Sequence, residues 1–104
     1  MITLAIRYTI NPNKLGDFKE YVAAELGPIR HSGGNVLGYF LPTDFAGPTN
    51  EALGLIDVSD LAEYEKYRKT LAEDPVHMKN VARLEQSGVV LATNRVLIQR
   101  FEER

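Results

Sequence analysis

The segment "ITLAIRYTINPNKLGDF", residues 2–18, changes its hydrophobic period partway along and so decides how the chain begins to fold. Over residues 2–10 apolar side chains alternate with others, which predicts a β-strand. Asn11 is then a suitable helix cap, and Pro12 has the backbone angle that the first helical position needs. From Lys14 apolar residues recur every three or four positions, which predicts a helix with one apolar stripe. The stripe consists of Leu15, Phe18, Val22, Leu26 and Ile29.

The end of this helix and the next strand follow from glycine and proline positions. Pro28 cannot donate to the carbonyl of Ala24, so a kink or a tightened last turn is expected there. The helix should end by Gly33–Gly34, because glycine tolerates a left-handed exit. The stretch "NVLGYFLP", residues 35–42, returns to extended structure, and "TDFAGPTN", residues 43–50, has the composition of a loop.

The second half of the chain repeats the change from strand to helix. Its predicted elements are a strand at 51–58, a helix at 59–71, another helix that starts at Asp74–Pro75, and a strand at 89–101. Asp60 is a candidate helix cap, with Glu63 placed for a capping box. The order β-α-β-β-α(α)-β predicts an α+β fold, a ferredoxin-like sandwich with an antiparallel sheet and helices on one face. Residues 1–104 are expected to form this single domain.

Composition excludes several classes of function. With 44% hydrophobic and 25% charged residues, the chain has ordinary globular composition. Its 12 Lys+Arg and 14 Asp+Glu include no basic block, so no nucleic-acid partner is expected. It has no cysteine, which excludes disulfides and thiolate chemistry. Because it has neither a signal-like start nor an apolar run long enough to span a membrane, we expect a soluble cytoplasmic protein.

The predicted strands carry apolar residues on both faces. Residues 51–58, for example, place Leu53 and Leu55 on one face and Ile56 and Val58 on the other. Helices on one side of the sheet would leave an apolar patch larger than monomers usually expose. We therefore expect a homodimer with sheet against sheet about a two-fold axis. The alternative, that the extra residues lie under the loop at 42–51, covers less area.

Three blocks of the sequence resemble the NIPSNAP family: "IRYTI-P-KL--F--Y", "H-GG----GYFLP" and "L-EYEKYRK-L--DP". The resemblance extends over nearly the whole chain. It implies a dimeric α+β barrel, in which two ferredoxin-like sandwiches join their sheets. The superfamily includes antibiotic-biosynthesis and haem-degrading monooxygenases, which place small hydrophobic ligands between sheet and helices.

Two departures from the haem-degrading relatives argue against haem chemistry. The chain has no tryptophan to lie against a porphyrin. In addition, His77 follows Pro75 near the start of its helix, whereas the haem-ligating histidine of those relatives lies deeper. No cofactor is therefore predicted.

The candidate ligand-binding residues are Arg7, Tyr39, Tyr64, Tyr67, Arg68 and His77. Arg7 lies on a strand that this topology makes central, where an unpaired charge is costly. A salt bridge to Asp57 or Glu51 is the preferred interpretation, and an anion contact to a ligand carboxylate is the alternative. Tyr39 is expected to lie on the opposite strand face from Phe40, as a packing residue or, alternatively, in a pocket.

The remaining candidates lie on the predicted helices. Tyr64, Tyr67 and Arg68 lie within one helical turn and could orient a planar ligand, although tyrosines at this spacing are usually core residues. His77 is the candidate base, and Asp74 beside it is expected to cap the helix rather than to act in catalysis.

Other polar residues have structural interpretations. His31 should lie in the last turn of the first long helix, where an imidazolium interacts favourably with the helix dipole. Gly33–Gly34 follow that helix and so cannot cradle a phosphate at a helix N-terminus. The two histidines lie far apart in the sequence, and with no thiol present no metal site is predicted.

Two functions remain open from the sequence. The first is binding of a small hydrophobic or aromatic molecule in the barrel, with cofactor-free monooxygenase or isomerase activity. The second is a non-enzymatic adaptor or sensor that acts through its dimer surface. No catalytic residue is assigned.

Overall fold

A computed structural model describes residues 1–102. Within this range it contains four strands and three α-helices in the predicted order. The strands are β1 (Ile2–Ile10), β2 (Asn35–Phe40), β3 (Glu51–Val58) and β4 (Val90–Gln99). The helices are α1 (Leu15–His31), α2 (Leu61–Glu73) and α3 (Pro75–Ser87). A short 3-10 helix, Pro12–Lys14, joins β1 to α1.

The strands form one antiparallel sheet in the order β2-β3-β1-β4. Leu4 of the central strand β1 lies opposite Ile56 of β3 on one side and Leu97 of β4 on the other. The register shifts in β2 between Val36 and Gly38. This arrangement confirms the predicted ferredoxin-like fold.

Local signals place the elements within about two residues of their predicted bounds, although α2 extends to Glu73 rather than 71 and β4 ends at Gln99 rather than 101. The side chains of Asp60 and Asp74 accept hydrogen bonds from backbone amides at the starts of α2 and α3. Asn11 caps the 3-10 helix instead, and α1, which begins three residues after Pro12, has no side-chain cap. Helix α1 continues through Pro28 as far as His31. Gly33 then adopts a left-handed φ of 101°, which confirms the predicted glycine exit.

The helices cover the sheet face that carries the even-numbered residues of β1. Seven side chains lie almost completely inside this layer: Leu4, Ile10, Phe18, Glu25, Ile29, Ile56 and Val89. Burying an aliphatic or aromatic side chain of this size contributes about 1.5–3 kcal/mol. Glu25 is the exception in this apolar set, because its carboxylate needs polar partners to compensate for lost hydration.

The opposite face of the sheet, here called the outer face, has no helix against it within residues 1–102. Its apolar side chains are Phe40, Leu53, Leu55, Val96 and Ile98. Phe40, Val96 and Ile98 remain 51%, 43% and 50% exposed, so the loop at residues 43–50 does not cover them. The outer face therefore carries an open apolar patch.

Arg7 lies exposed on this outer face and forms no ion pair within residues 1–102, so the predicted salt bridge to Asp57 or Glu51 is wrong. Thr3, not Arg7, lies opposite Asp57 and donates to its Oδ1 at 2.5 Å. Thr3 and Arg7 are four positions apart on β1, and this spacing corresponds to a distance of about 13 Å. Asp57 pairs instead with Arg100, whose Nη2 is 3.3 Å from Oδ2.

None of the helices within residues 1–102 combines the length and the apolar character needed to cross a bilayer.

The close packing of α1, the sheet and α2 depends on the missing side chain of Gly34. A Cβ at Gly34 would lie only 2.8–2.9 Å from side-chain carbons of Ile29, Ile56 and Tyr67. All three neighbours are themselves buried, so they have little room to move.

We expect Gly34→Ala to destabilise the fold by about 1–3 kcal/mol, because the new methyl group overpacks this contact. Gly16→Ala is the matched control, since nothing lies within 4 Å of its added Cβ. It should leave stability unchanged or raise it by up to about 1 kcal/mol. Denaturant titration of both variants measures the difference, and equal stabilities would contradict the packing argument.

Candidate functional site

A cavity of about 360 Å³ lies between the helix-covered face of the sheet and the helices. Its sheet wall includes Leu4, Ile6 and Ile56, and all three helices contribute side chains. A volume of this order suits a small aromatic molecule, and an apolar wall with few polar groups is typical of ligand sites. The polar groups therefore determine what the cavity can do.

Glu25 lies beside the cavity in α1 with only 2% of its surface exposed. Its Oε2 is 2.6 Å from Nδ1 of His77 and accepts a longer hydrogen bond, of 3.4 Å, from the Tyr21 hydroxyl. Its Oε1 accepts from Nδ2 of Asn80 at 3.3 Å. Each carboxylate oxygen thus has a partner, which compensates for the cost of burying it.

Helical spacing brings these groups together. Tyr21 and Glu25 are four residues apart in α1, and His77 and Asn80 are three apart in α3, so each pair shares a helix face. Asp74 starts α3 by accepting from the backbone amides of Val76 and His77 at 2.8 and 3.1 Å. As expected, Asp74 acts as a cap, and the acidic partner of His77 is Glu25.

The contact with Glu25 orients the His77 ring. Because Nδ1 is held by the carboxylate, Nε2 is the nitrogen available to a ligand, and no hydrogen bond to Nε2 occurs within residues 1–102. The side chain is 20% exposed and lines the cavity. An imidazole oriented by a buried carboxylate is an arrangement suited to general-base chemistry.

Tyrosines form a second polar group in the cavity. The hydroxyls of Tyr8 and Tyr39 are 3.4 Å apart, and the Tyr8 ring lies 6.5 Å from that of Tyr21. The ring of Tyr39 lies over Gly54, where a Cβ would approach it to 2.7 Å. Burial raises the pKa of Tyr8, Tyr21, Tyr39 and Tyr67, because it disfavours the phenolate. Their hydroxyls therefore remain hydrogen-bond donors near neutral pH.

The structure brings four of the six candidate residues to the cavity. Tyr39, Tyr67, Arg68 and His77 line it. Tyr64 does not line it, although its ring packs 6.5 Å from that of Tyr67. Arg7 lies across the sheet on the outer face.

The site residues missing from the sequence-based prediction are Tyr8, Tyr21, Glu25, Asn80 and Arg95. A signal for Glu25 was present, because it lies seven residues after Phe18 and four before Ile29. This spacing places a carboxylate on the buried side of the helix, and such a residue must have a polar partner.

The part of the chain that the structure describes contains no candidate metal-binding site. There, no three His, Cys, Asp or Glu side chains come close enough together to hold an ion.

The chain resembles known proteins both in sequence and in fold. The NIPSNAP family model matches residues 4–101. A NIPSNAP family protein from Agrobacterium tumefaciens is 22% identical, with a TM-score of 0.83 over 97% of this chain and 93% of that one. No curated protein matches the chain in sequence.

Two further structures share the fold at lower identity. A putative antibiotic biosynthesis monooxygenase from Nitrosomonas europaea is 10% identical, with a TM-score of 0.72 over 98% of this chain and 100% of that one. SnoaB, a cofactor-independent oxygenase from Streptomyces nogalater, is 14% identical, with a TM-score of 0.65 over 98% of this chain and 94% of that one.

The raised pKa values of the buried tyrosines predict that the protein unfolds at alkaline pH. Since the pKa of each is higher in the folded state, the unfolded chain loses its phenolic protons first as pH rises, and stability falls above the ordinary pKa of 10.0. Near-ultraviolet phenolate absorbance should therefore rise together with the loss of circular dichroism. In Tyr39→Phe the slope of stability against pH should be smaller by about 1.4 kcal/mol per pH unit. Titration of these tyrosines before unfolding would contradict this.

Proposed function

The chain belongs to the NIPSNAP family, and from that premise and the cavity we propose that it binds a small aromatic molecule and transfers a proton to or from it. The observation that carries the proposal is the 2.6 Å contact between Glu25 and His77 beside an apolar cavity. The absence of cysteine fits the reducing cytoplasm, where we place this activity.

In the proposed step, Nε2 of His77 takes a proton from an acidic O–H or C–H bond of the bound molecule. The Glu25 carboxylate stabilises the imidazolium that forms. The hydroxyls of Tyr8 and Tyr39 donate to the oxyanion left on the ligand, where preorganised donors are most effective. If the proton returns to a different atom, the result is an isomerisation that needs no co-reactant.

In a second outcome, the same deprotonated ligand reacts with molecular oxygen. The likeness in fold to a cofactor-independent oxygenase supports this possibility. In that outcome an activated CH₂ group becomes a carbonyl. One oxygen atom enters the product and the other leaves as water, so that atoms and electrons balance. Both outcomes begin with proton removal by His77.

The first test follows proton removal directly with 2-tetralone, a bicyclic aromatic ketone with an acidic C–H bond. We expect the protein to accelerate deuterium uptake from heavy water at that carbon, measured by nuclear magnetic resonance without oxygen. His77→Gln should lower the rate by about a hundredfold or more, the range typical of a general base. Glu25→Gln should also lower it, because the ring loses its charged partner.

His31→Gln is the matched control, because His31 is an exposed histidine at the end of α1. Its exchange rate should equal that of the original protein. If exchange is unaffected in His77→Gln while the fold is intact, the proposed base is wrong. Absence of both binding and exchange in a stable dimer would instead support the alternative function, an adaptor that acts through its dimer surface.

We also propose that a second copy of the chain covers the outer face. The molecule measures 40 × 36 × 18 Å, so it is a slab of two layers with one broad sheet face uncovered. Three apolar side chains there, Phe40, Val96 and Ile98, are each about half exposed. Pairing two sheets about a two-fold axis would bury the same patch on both copies.

Light scattering should give a mass of about twice 11.7 kDa. Val96→Asp should yield a monomer, because it would bury two unpaired carboxylates in the interface. Phe45→Asp is the control, since Phe45 is a loop residue that is already 96% exposed. A monomeric original protein at micromolar concentration would contradict the dimer.

A further inference from the structure

The rim of the cavity carries two guanidinium groups, one from each layer of the fold. Arg68 extends from α2 in the helical layer, and Arg95 extends from β4 in the sheet. Both residues are exposed, whereas Glu25 is buried. The cavity is thus lined by two exposed arginines and by a buried carboxylate that holds the base.

Neither arginine has an acidic partner within residues 1–102. The ion pairs there involve Lys66, His77 and Arg100 instead. Glu85 of α3 also lies at the rim, yet no ion pair joins it to Arg68 or Arg95. Two arginines that line a common cavity and form no ion pair within residues 1–102 are available to an anion.

The charges of these arginines reach into the cavity. Burial raises the pKa of Tyr8, and the positive charge of Arg95 partly offsets that rise. Burial likewise raises the pKa of Tyr67, and Arg68 partly offsets it. Each guanidinium therefore partly opposes the effect of burial on one tyrosine of the cavity.

We infer that the ligand is an aromatic acid, whose anionic group is bound at the rim by Arg68 and Arg95 while its ring lies deeper in the cavity. This inference rests on the proposed function and names the class of ligand. The planar fork of a guanidinium matches both carboxylate and phosphate oxygens. The buried Glu25 would repel an anion, so only one orientation of the ligand is favourable. That orientation presents the acidic bond of the ring to His77.

Equilibrium dialysis of the full chain with three naphthalene probes tests this inference. The probes are 2-naphthoate, 2-naphthyl phosphate and neutral methyl 2-naphthoate. We expect at least one anion to bind about tenfold more tightly than the ester, and the tighter anion identifies the class, carboxylate or phosphate. Arg68→Gln and Arg95→Gln should each weaken binding of that anion roughly three- to tenfold and leave ester binding unchanged.

Two variants remove the same charge elsewhere. Lys69→Gln alters an exposed residue of α2, and Lys19→Gln alters an exposed residue of α1. Both should leave anion affinity within about twofold, since neither side chain lines the cavity and solvent screens exposed charges. The inference is overturned if the ester binds as tightly as both anions, or if these controls lose as much affinity as the rim variants.

The exchange assay with 2-tetralone separates this inference from the proposed function. If exchange depends on His77 but the probes show no preference for an anion, the proposed function stands and the aromatic-acid inference is wrong. If no probe binds and no exchange occurs, both are wrong.

Discussion

The charge of Glu25, buried between α1 and α3, is the constraint on which the site depends. A carboxylate that is 98% removed from solvent is tolerable only if its oxygens are bonded, and the bonds here come from both helices. Removing one partner of a buried charge typically costs about 3–5 kcal/mol. The same contacts therefore fix the spacing of the two helices and the orientation of the His77 ring. The stability of the fold and the geometry of the cavity thus depend on one interaction.

The two faces of the sheet lie in different environments, because successive residues of each strand point to opposite faces. On β1, Leu4, Ile6 and Tyr8 form part of the cavity wall, while Arg7 lies between them on the outer face. A change on one face can therefore reach the other only through the backbone. The residues of the outer face and those of the cavity can therefore change independently.

The sequence predicts the elements well and their partners less well, for physical reasons. Strand periods and the caps at Asn11, Asp60 and Asp74 are local signals, so the order and ends of the elements follow from them. The residues that lie opposite Arg7 depend on the register between β1 and its neighbouring strands. No local sequence signal specifies that register. Likewise Glu25 and His77 are 52 positions apart, so neither residue by itself reveals the pair.

Gly54 has a further consequence for what the cavity can accept. The phenol of Tyr39 occupies the space that a side chain at position 54 would need. One wall of the cavity is therefore determined by a hydrogen atom in place of a methyl group. In a relative with alanine at this position, the Tyr39 ring would have to move away from residue 54. A single backbone position can thus change the shape of the cavity and the placement of a hydroxyl within it.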